Sequence, residues 1–427
     1  MNRAVKTGAK TGATEARSQV LFLAHRIPWP PDRGDRIRSW HLLRALSARA
    51  DVHLGCLVED RAEAARAGAI TGVTASRCMA PRKSSIGWAG IRALITGQPV
   101  SVAAFRSWRL NRWVRHTLAT RQIDAIFVFS GQMAQFVPAG FTGRVVMDFV
   151  DVDSAKFADY AAAMRPGVVR AIHAREARML AAYEEHFAHR ADLSLLVTPE
   201  ERDLFVAGLA DPSGITVAAL GNGIDAGFFS PGAAMAVLPP EPGLASPQIV
   251  FTGQMDYAPN VAAVAMFARE VMPLIRARYA SAGFAIVGRA PTAEVRALDG
   301  VHGTRVTGEV ADVRPWLAGA DVVVAPLLIA RGVQNKVLEA MAMARPVVLT
   351  PAAATGIGGR DGDHFAIADG APALAVRVLA LIDDRTVAQA LGAAARAFVL
   401  AHAGWDAVLA PLPAMIWPEL KKLSDAG

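Results

Sequence analysis

Short apolar runs alternate with longer amphipathic stretches along the chain, which is typical of parallel β-strands joined by helices. In the first half, such runs predict strands at 19–24, 52–58, 124–129, 144–150, 193–198 and 217–225. After a proline-rich stretch the alternation restarts and predicts strands at 249–253, 284–288, 306–309, 322–325 and 347–350. Two such series predict an α/β fold with two doubly wound domains and a cleft between them.

The predicted domain boundaries follow from this alternation. Residues 1–18 are basic, small and without an apolar core, so we expect a disordered tail and not a secretory signal. We assign 19–237 to the N-terminal domain, 238–248 to a linker with four prolines, and 249–384 to the C-terminal domain. Residues 385–427 are rich in Ala and Leu and are expected to form helices that pack back on the N-terminal domain.

Composition narrows the class of protein. The 427 residues are 53% hydrophobic and 19% charged, which excludes a disordered chain and suits two globular domains. Cys56 and Cys78 lack metal-ligand spacing, so we expect a reducing compartment and no disulfide. No apolar run approaches the roughly 20 residues of a membrane span. The net charge of +7 suits an anionic partner, but we find no single basic block and keep a moderately basic soluble enzyme as an equal alternative.

The stretch RGVQNKVLEAMAMARPVVLT at 331–350 concentrates polar residues between a predicted strand and a predicted helix. Such a turn lies at the carboxyl end of a parallel sheet, where open α/β folds bind ligands. The N–H groups and dipole at the start of the helix favour a phosphate. Lys336 adds a positive charge, and Glu339 lies three residues later on roughly the same helix face.

The first βαβ unit carries a second group of polar residues. Its loop at 25–38 is rich in proline and arginine and contains Gly34 but no GxGxxG, so a nicotinamide cofactor is poorly supported. Amides at Gly34 with nearby arginines suit a phosphate or an acceptor sugar. Further on, Asp148, Asp151 and Asp153 lie at the carboxyl end of a predicted strand; metal ligation, acceptor contacts and a helix cap beside a solvated loop all remain open.

The pattern K-x-L-E-A-M-A-x-x-x-P-V-V at 336–348 resembles the donor-site signature of GT-B glycosyltransferases of family 4, also called group 1. Several further pieces occur in the order of that family: 222–231, 251–253, 286–288, 307–310 and 320–326. The resemblance covers roughly residues 220–360. The proline-rich loop and the segment 151–154 resemble, more loosely, a bacterial subgroup of sugar transferases tied to exopolysaccharide loci.

This resemblance implies a GT-B fold, with two Rossmann-like domains facing each other across a cleft. It implies transfer of a sugar from a nucleotide sugar to a glycan or lipid-linked acceptor, usually with retention and without a bound metal or other cofactor. Exopolysaccharide or cell-surface glycan synthesis in a bacterial cytoplasm is the expected setting. Peripheral contact of the Arg-rich first domain with an anionic membrane is a further expectation, and nucleic acid is not an expected partner.

The resemblance also implies roles for individual residues. Glu339 matches an acidic position that hydrogen-bonds the ribose, while Lys336, Gly332 and the amides of 332–335 would face the diphosphate. The predicted donor-binding set is completed by Gly34, Gly253, Gly288, Val333 and Asn335. The predicted catalytic residues are Glu339, Lys336, Arg331 and His25. His25 directly follows the first predicted strand, and two interpretations stay open for it: an acceptor-side base and a loop residue. The predicted acceptor-side residues are Asp151, Asp153 and Arg36.

The chain departs from the family pattern at two positions. The first Glu of the E-x7-E motif is replaced by Arg331, and Gly253 is followed by Gln254 where the family has basic residues. These departures imply an unusual donor or reduced activity, with Arg331 as a phosphate contact. Two alternatives therefore stay open: an epimerase-like GT-B protein acting on nucleotide sugars, and a noncatalytic basic module that binds membrane or nucleic acid.

Overall fold

The computed structural model describes residues 17–31, 33–65, 67–82, 97–233, 246–330 and 333–418. The chain divides into two compact units, Met1–Gly221 with Leu409–Gly427, and Asn222–Val408. Several predictions fall outside the described residues: most of the tail, the linker up to residue 245, and the roles of Arg331 and Gly332.

The first unit contains a seven-stranded parallel sheet in the order β3-β2-β1-β4-β5-β6-β7. Its strands are β1 Ser18–Ala24, β2 Ala50–Val58, β3 Ser76–Pro81, β4 Ala125–Phe129, β5 Arg144–Val150, β6 Leu193–Leu196 and β7 Val217–Ala219. Strand order reverses between β1 and β4, and the carboxyl ends there are where open α/β sheets bind ligands. The central strand β1 is buried from Val20 to Ala24 with no exposed surface, as its apolar run requires.

Helices connect the strands of this sheet. The α-helices described are Gly34–Ser47, Arg61–Ala65, Val100–Ala103, Trp108–Thr120, Asp153–Ala163, Val168–Arg190, Pro199–Gly208 and Leu412–Ile416. Short 3₁₀ segments occupy Ala67–Val73 and Gly131–Phe136. Cys56 and Cys78, on neighbouring strands, are both free and buried, which agrees with the expected absence of a disulfide.

The second unit repeats the same plan with six parallel strands in the order β10-β9-β8-β11-β12-β13. The strands are β8 Gln248–Thr252, β9 Gly283–Val287, β10 Thr304–Gly308, β11 Val322–Ala325, β12 Val347–Leu349 and β13 Ala366–Ile367. The reversal lies between β8 and β11. One continuous apolar core surrounds this sheet, and Val347, Val348 and Leu349 of β12 are fully buried in it.

The helices of the second unit are Ala258–Met266, Met272–Arg276, Ala293–Arg296, Arg314–Gly319, Asn335–Ala342, Pro351–Ala354, Ala371–Asp383, Arg385–Phe398 and Trp405–Leu409. Two π-helical segments, Phe267–Val271 and Val399–Ala403, and a 3₁₀ turn at Val301–Gly303 complete the set. The continuous stretch Ala258–Arg276 is long and apolar enough to cross a membrane, although we expected no such run. Its Phe267, Val271 and Ile275 are fully buried in the core of the unit, which accounts for its apolar character.

The unit boundary differs from the predicted one. Residues 222–233 were assigned to the first domain, but Ile224 pairs with Gly404, and Arg396 donates to the carbonyl of Phe229 at 3.1 Å. These contacts attach the segment to the second unit before the proline-rich stretch begins. The C-terminal residues divide as well: those up to Val408 join the second unit, and the helix Leu412–Ile416 belongs to the first unit.

The sequence pattern also missed two strands. β3 and β13 are short edge strands, and β3 has the mixed sequence SRCMAP, which lacks an apolar run. Each gains its hydrogen bonds from a neighbouring buried strand, so its strand character depends on partners distant in sequence.

Candidate functional site

Two glycines bring the carboxyl ends of β8 and β9 into close contact. A Cβ atom added at Gly288 would lie 1.6 Å from the carbonyl oxygen of Gly253, so no side chain fits there. The amide of Gly253 donates to the carbonyl of Val287 at 3.0 Å, and the amide of Gly288 donates to that of Gly308 at 3.1 Å. The glycines therefore allow the two strand ends to approach closely, and both amides are engaged in hydrogen bonds within the sheet.

Lys336 lies at the start of the helix Asn335–Ala342 and points toward the same strand end. Its Nζ is 2.5 Å from Oδ1 of Asn260 and lies 4.6 Å from the ring centroid of Phe251. A Cβ at Gly253 would come within 3.2 Å of this ammonium group. The glycine therefore leaves the space that the lysine occupies, and the cation is fixed by an amide oxygen and an aromatic face.

Asn260 is a site residue that the sequence did not reveal. It is buried, accepts the hydrogen bond from Lys336 and donates from Nδ2 to the carbonyl of Gln254 at 2.8 Å. Asn260 belongs to the helix Ala258–Met266, which follows β8, whereas Lys336 follows β11. Asn260 and Lys336 meet because β8 and β11 are neighbours in the sheet. The sequence could have indicated this contact only through the position of each residue just after one of these two strands.

Burial and mutual attraction set the protonation of Lys336 and Glu339. Burial lowers the pKa of Lys336 to about 8, and the charge of Glu339 opposes this shift. Burial raises the pKa of Glu339 to about 7, and Lys336 opposes that shift in turn. The sequence prediction placed both residues on one helix face, and their mutual electrostatic effect agrees with that placement. Two partly desolvated, oppositely charged groups near neutral pH are a feature of functional sites.

The raised pKa of Glu339 gives a signed prediction for stability. Between pH 4.5 and about 7 the folded state holds a proton that the unfolded state has lost, so wild-type stability falls as pH rises through this window. The variant Glu339→Gln mimics the protonated acid. We expect it to exceed the wild type in unfolding free energy at pH 8 by about 1–3 kcal/mol, and to match it below pH 4.5.

Chemical denaturation of both proteins at pH 8, with thermal midpoints followed down to pH 4, measures this difference. The exposed Glu270, in the same unit, supplies the matched control Glu270→Gln, which should track the wild type at every pH. A Glu339→Gln protein that is less stable than the wild type at pH 8 would contradict the argument.

In the first unit, His25 follows β1 and lies against two aromatic rings. It stacks on Phe129 with ring centroids 5.6 Å apart and meets the edge of Phe105 at 5.9 Å. Its Nε2 lies 3.2 Å from Oδ2 of Asp35, and this hydrogen bond lowers the pKa of Asp35 to about 2. Nδ1 of His25 is buried and has no hydrogen-bond partner among the described residues. The imidazole is thus held rigidly with one nitrogen uncommitted.

The predicted acceptor-side acids follow β5. Asp153 is the first residue of the helix Asp153–Ala163 and accepts a hydrogen bond from Nε2 of Gln132 at 3.0 Å. Burial raises the pKa of Asp153, whereas His25 contributes a lowering interaction, so the two residues lie within electrostatic range. Asp151 is exposed. Within the described residues, no cluster of three or more His, Cys, Asp or Glu side chains has the arrangement of a metal site.

Two other polar residues of this region have structural partners. Arg36, a predicted acceptor contact, is buried and forms an ion pair with Glu63 in place of facing an open surface. Asp148 is fully buried and accepts a two-point hydrogen bond from Arg38, at 2.8 and 3.1 Å. Each of these two residues pairs with a side chain far away in sequence, and the periodicity of apolar residues does not indicate such pairs. Gly34 begins the helix Gly34–Ser47, and no atom lies within 4 Å of its missing side chain.

The remaining predicted donor residues lie at the start of the helix that carries Lys336. Val333 and Asn335 are exposed. Gln334 precedes the helix without capping it through its side chain. The structure therefore brings together Gly253, Gly288, Lys336 and Glu339 in the second unit, and His25 and Asp153 in the first.

Comparison with known proteins identifies the second unit. A family model described as "Glycosyl transferases group 1" matches residues 246–384, which include all of the second-unit residues named above. Comparison with curated protein sequences gives no match.

Solved structures resemble the whole chain. Sucrose-phosphate synthase from Thermosynechococcus elongatus has a TM-score of 0.56 at 15% identity, covering 96% of this chain and 100% of that one. HepE of Anabaena in complex with UDP has a TM-score of 0.57 at 13% identity, with coverages of 96% and 100%. A glycosyltransferase from Rickettsia africae has a TM-score of 0.58 at 11% identity, with coverages of 95% and 99%. At such identities the likeness establishes the GT-B fold, and with the family match it identifies the chain as a glycosyltransferase that carries a group 1 glycosyltransferase domain.

Proposed function

We propose that the protein transfers a sugar from a nucleotide-sugar donor to a glycan or lipid-linked acceptor, with retention and without a bound metal. The proposal includes membership of glycosyltransferase family 4 and a role in bacterial exopolysaccharide or cell-surface glycan synthesis. The observation that carries it is the ammonium group of Lys336, held at a helix start beside Gly253 by the side chain of Asn260. HepE, a structural neighbour, was solved with UDP and with UDP-glucose.

The chemistry of the leaving group explains why these residues suit the donor. Breaking the glycosidic bond leaves negative charge on a nucleoside diphosphate, and fixed cations and amide dipoles stabilise that charge. Lys336 supplies a cation whose pKa of about 8 keeps it mostly protonated at pH 7. The amides at the start of its helix supply partial positive charge. Together these groups favour a mechanism in which protein charges take the part that a divalent metal plays elsewhere.

Glu339 suits the ribose end of the donor. A partly buried carboxyl group with a pKa near 7 accepts hydrogen bonds from neutral hydroxyl groups and gains from Lys336 when it ionises. On the acceptor side, we assign His25 as the group that contacts the incoming hydroxyl, with Asp35 holding the ring. Asp151 and Asp153 would bind further acceptor hydroxyls.

We place the protein in the cytoplasm, in peripheral contact with the inner face of the membrane through its first unit. A lipid-linked acceptor would be reached there without release into water. Nucleic acid is not a proposed partner.

A thermal-shift screen with UDP-, GDP- and ADP-sugars tests donor binding. At a concentration 100-fold above its Kd, the correct donor should raise the stability of the second unit by about 2.7 kcal/mol. The shift should be lost in Lys336→Met and retained in Arg360→Met, because the side chain of Arg360 is exposed and pairs with the exposed Asp363. Absence of any shift across the screen would contradict nucleotide-sugar binding.

Incubation with donor alone, and then with donor and acceptor, separates transfer from epimerisation. Release of free nucleotide that becomes faster when an acceptor is added supports the transferase. Conversion of the donor to a stereoisomer without release of nucleotide would support the epimerase alternative.

A further inference from the structure

Two helices of the first unit form an antiparallel hairpin with an exposed tip. They are Asp153–Ala163 and Val168–Arg190, and every residue from 162 to 172 is exposed. Below the tip the two helices pack on each other: Phe157 stacks on His173, with ring centroids 5.5 Å apart, and Ala161 and Ala177 are buried. The exposed tip therefore lies at the end of a packed pair of helices.

The tip carries an unusual set of side chains for a surface. Val168, Val169 and Ile172 are 77%, 58% and 55% exposed and share one helix face. Tyr160 and Met164 are exposed on the other helix at the same end of the hairpin. Scattered exposed apolar residues need no explanation, but five at the end of one hairpin form a patch of the kind that marks an interaction surface.

The charge around this patch is positive. Arg165 and Arg170 flank the apolar residues, and neither makes an ion pair within the described part of the chain. The only acid in the hairpin between residues 157 and 175 is Asp159.

A positively charged stretch of sequence contains the residues that contact the hairpin. Residues 64–123 contain ten Lys and Arg and no Asp or Glu, a net charge of +10 compared with +7 for the whole chain. We had expected no such concentration. The amides of Val100 and Ser101, within this segment, donate to the carboxylate of Glu176 at 2.8 Å, one helical turn beyond Ile172. At Val100 and Ser101 this acid-free stretch of sequence is thereby held beside the apolar hairpin.

We infer that the hairpin tip is the membrane-docking element of the protein. Its aliphatic side chains and Tyr160 enter the interfacial region of an anionic bilayer, while Arg165 and Arg170 bind lipid phosphates. Apolar residues with flanking arginines fit this partner, since it offers both an apolar interior and a negatively charged surface. A second copy of the chain is disfavoured because it brings its own positive charge. The inference specifies the membrane contact proposed above and does not depend on sugar transfer.

Vesicle flotation of the full chain tests the inference. Wild-type protein should float with phosphatidylglycerol–phosphatidylcholine vesicles and bind pure phosphatidylcholine vesicles far less. The triple variant Val168→Ser, Val169→Ser, Ile172→Ser should lose at least about tenfold in partition coefficient on the anionic vesicles. The matched control is Val376→Ser, Val387→Ser, Leu400→Ser, whose residues are 65%, 53% and 51% exposed on the second unit and should leave flotation unchanged.

The inference is wrong if the wild type fails to float with anionic vesicles, or if the hairpin variant floats as well as the control. Sedimentation velocity that shows a wild-type dimer, abolished in the hairpin variant, would assign the patch to a second copy of the chain. The thermal shift caused by the nucleotide-sugar donor should be equal in both triple variants, so a failed membrane prediction is distinguishable from a failed assignment of donor binding.

Discussion

Lys336→Met should lower nucleotide-sugar turnover by about 10²- to 10³-fold, the loss typical when a group that stabilises transition-state charge is removed. Methionine keeps a long apolar side chain over Phe251 but removes the only charge that Asn260 fixes at this strand end. Burying the lysine charge is itself unfavourable, as its lowered pKa indicates, so the variant should fold as well as the wild type. Steady-state kinetics with unfolding midpoints measures both effects.

A second substitution at the same position separates charge from geometry. Lys336→Arg keeps the charge, but Nζ of Lys336 makes a point contact 2.5 Å from Oδ1 of Asn260 and 4.6 Å from the ring centroid of Phe251. A guanidinium is longer and planar and spreads its charge over three nitrogens, so it does not reproduce this contact and we expect little recovery of turnover. Arg360→Met, an exposed charge in the same unit, should leave turnover within about twofold of the wild type. Comparable activity in Lys336→Met and Arg360→Met would remove Lys336 from the mechanism.

Gly288→Ala should destabilise the second unit by about 3 kcal/mol or more, at the upper end of overpacking substitutions. The new Cβ would lie 1.6 Å from the carbonyl oxygen of Gly253, a backbone atom with little freedom to move. Hydrogen bonds on both sides hold it: the amide of Gly253 donates to Val287 at 3.0 Å, and the amide of Met255 donates to Arg289 at 2.9 Å. Thermal and denaturant unfolding measure the loss.

Gly232→Ala is the matched control for that substitution. No atom lies within 4 Å of its Cβ position, so alanine should be neutral or slightly stabilising there. Equal unfolding midpoints for the two variants would show that the strand ends separate readily. In that case, the close approach of the two backbones would not be a fixed property of the donor site.

Much of this fold was predictable because buried parallel strands are continuous apolar runs. The strand at 19–24 was expected from its sequence, and the structure places β1 at Ser18–Ala24 with its centre fully buried. The start of the helix Asn335–Ala342 was predictable for a similar local reason, since Lys336 and Glu339 sit between a strand and an amphipathic stretch. Local pattern thus predicted most of the elements and the position of Lys336 and Glu339 at this helix.

Contacts between distant segments were not predictable in the same way. Asn260 accepts the hydrogen bond of Lys336 from 76 residues away, and Arg36 is taken out of solvent by Glu63, 27 residues distant. Each pairing is decided by strand order, which a single sequence does not specify. The boundary at residue 221 was missed for the same reason, because Ile224 is held by Gly404.

The return of the chain to the first unit has a consequence for biosynthesis. Nε of Arg144 donates at 3.0 Å to the carbonyl of Met415, which is translated 271 residues later. At about 5–20 residues per second, the ribosome delivers that partner about 15–50 s afterwards. Leu412 and Ile416, both buried in the mature protein, arrive in the same final segment. The nascent first unit therefore waits with an open apolar surface until the second has been synthesised, which makes this surface a natural point of contact for chaperones.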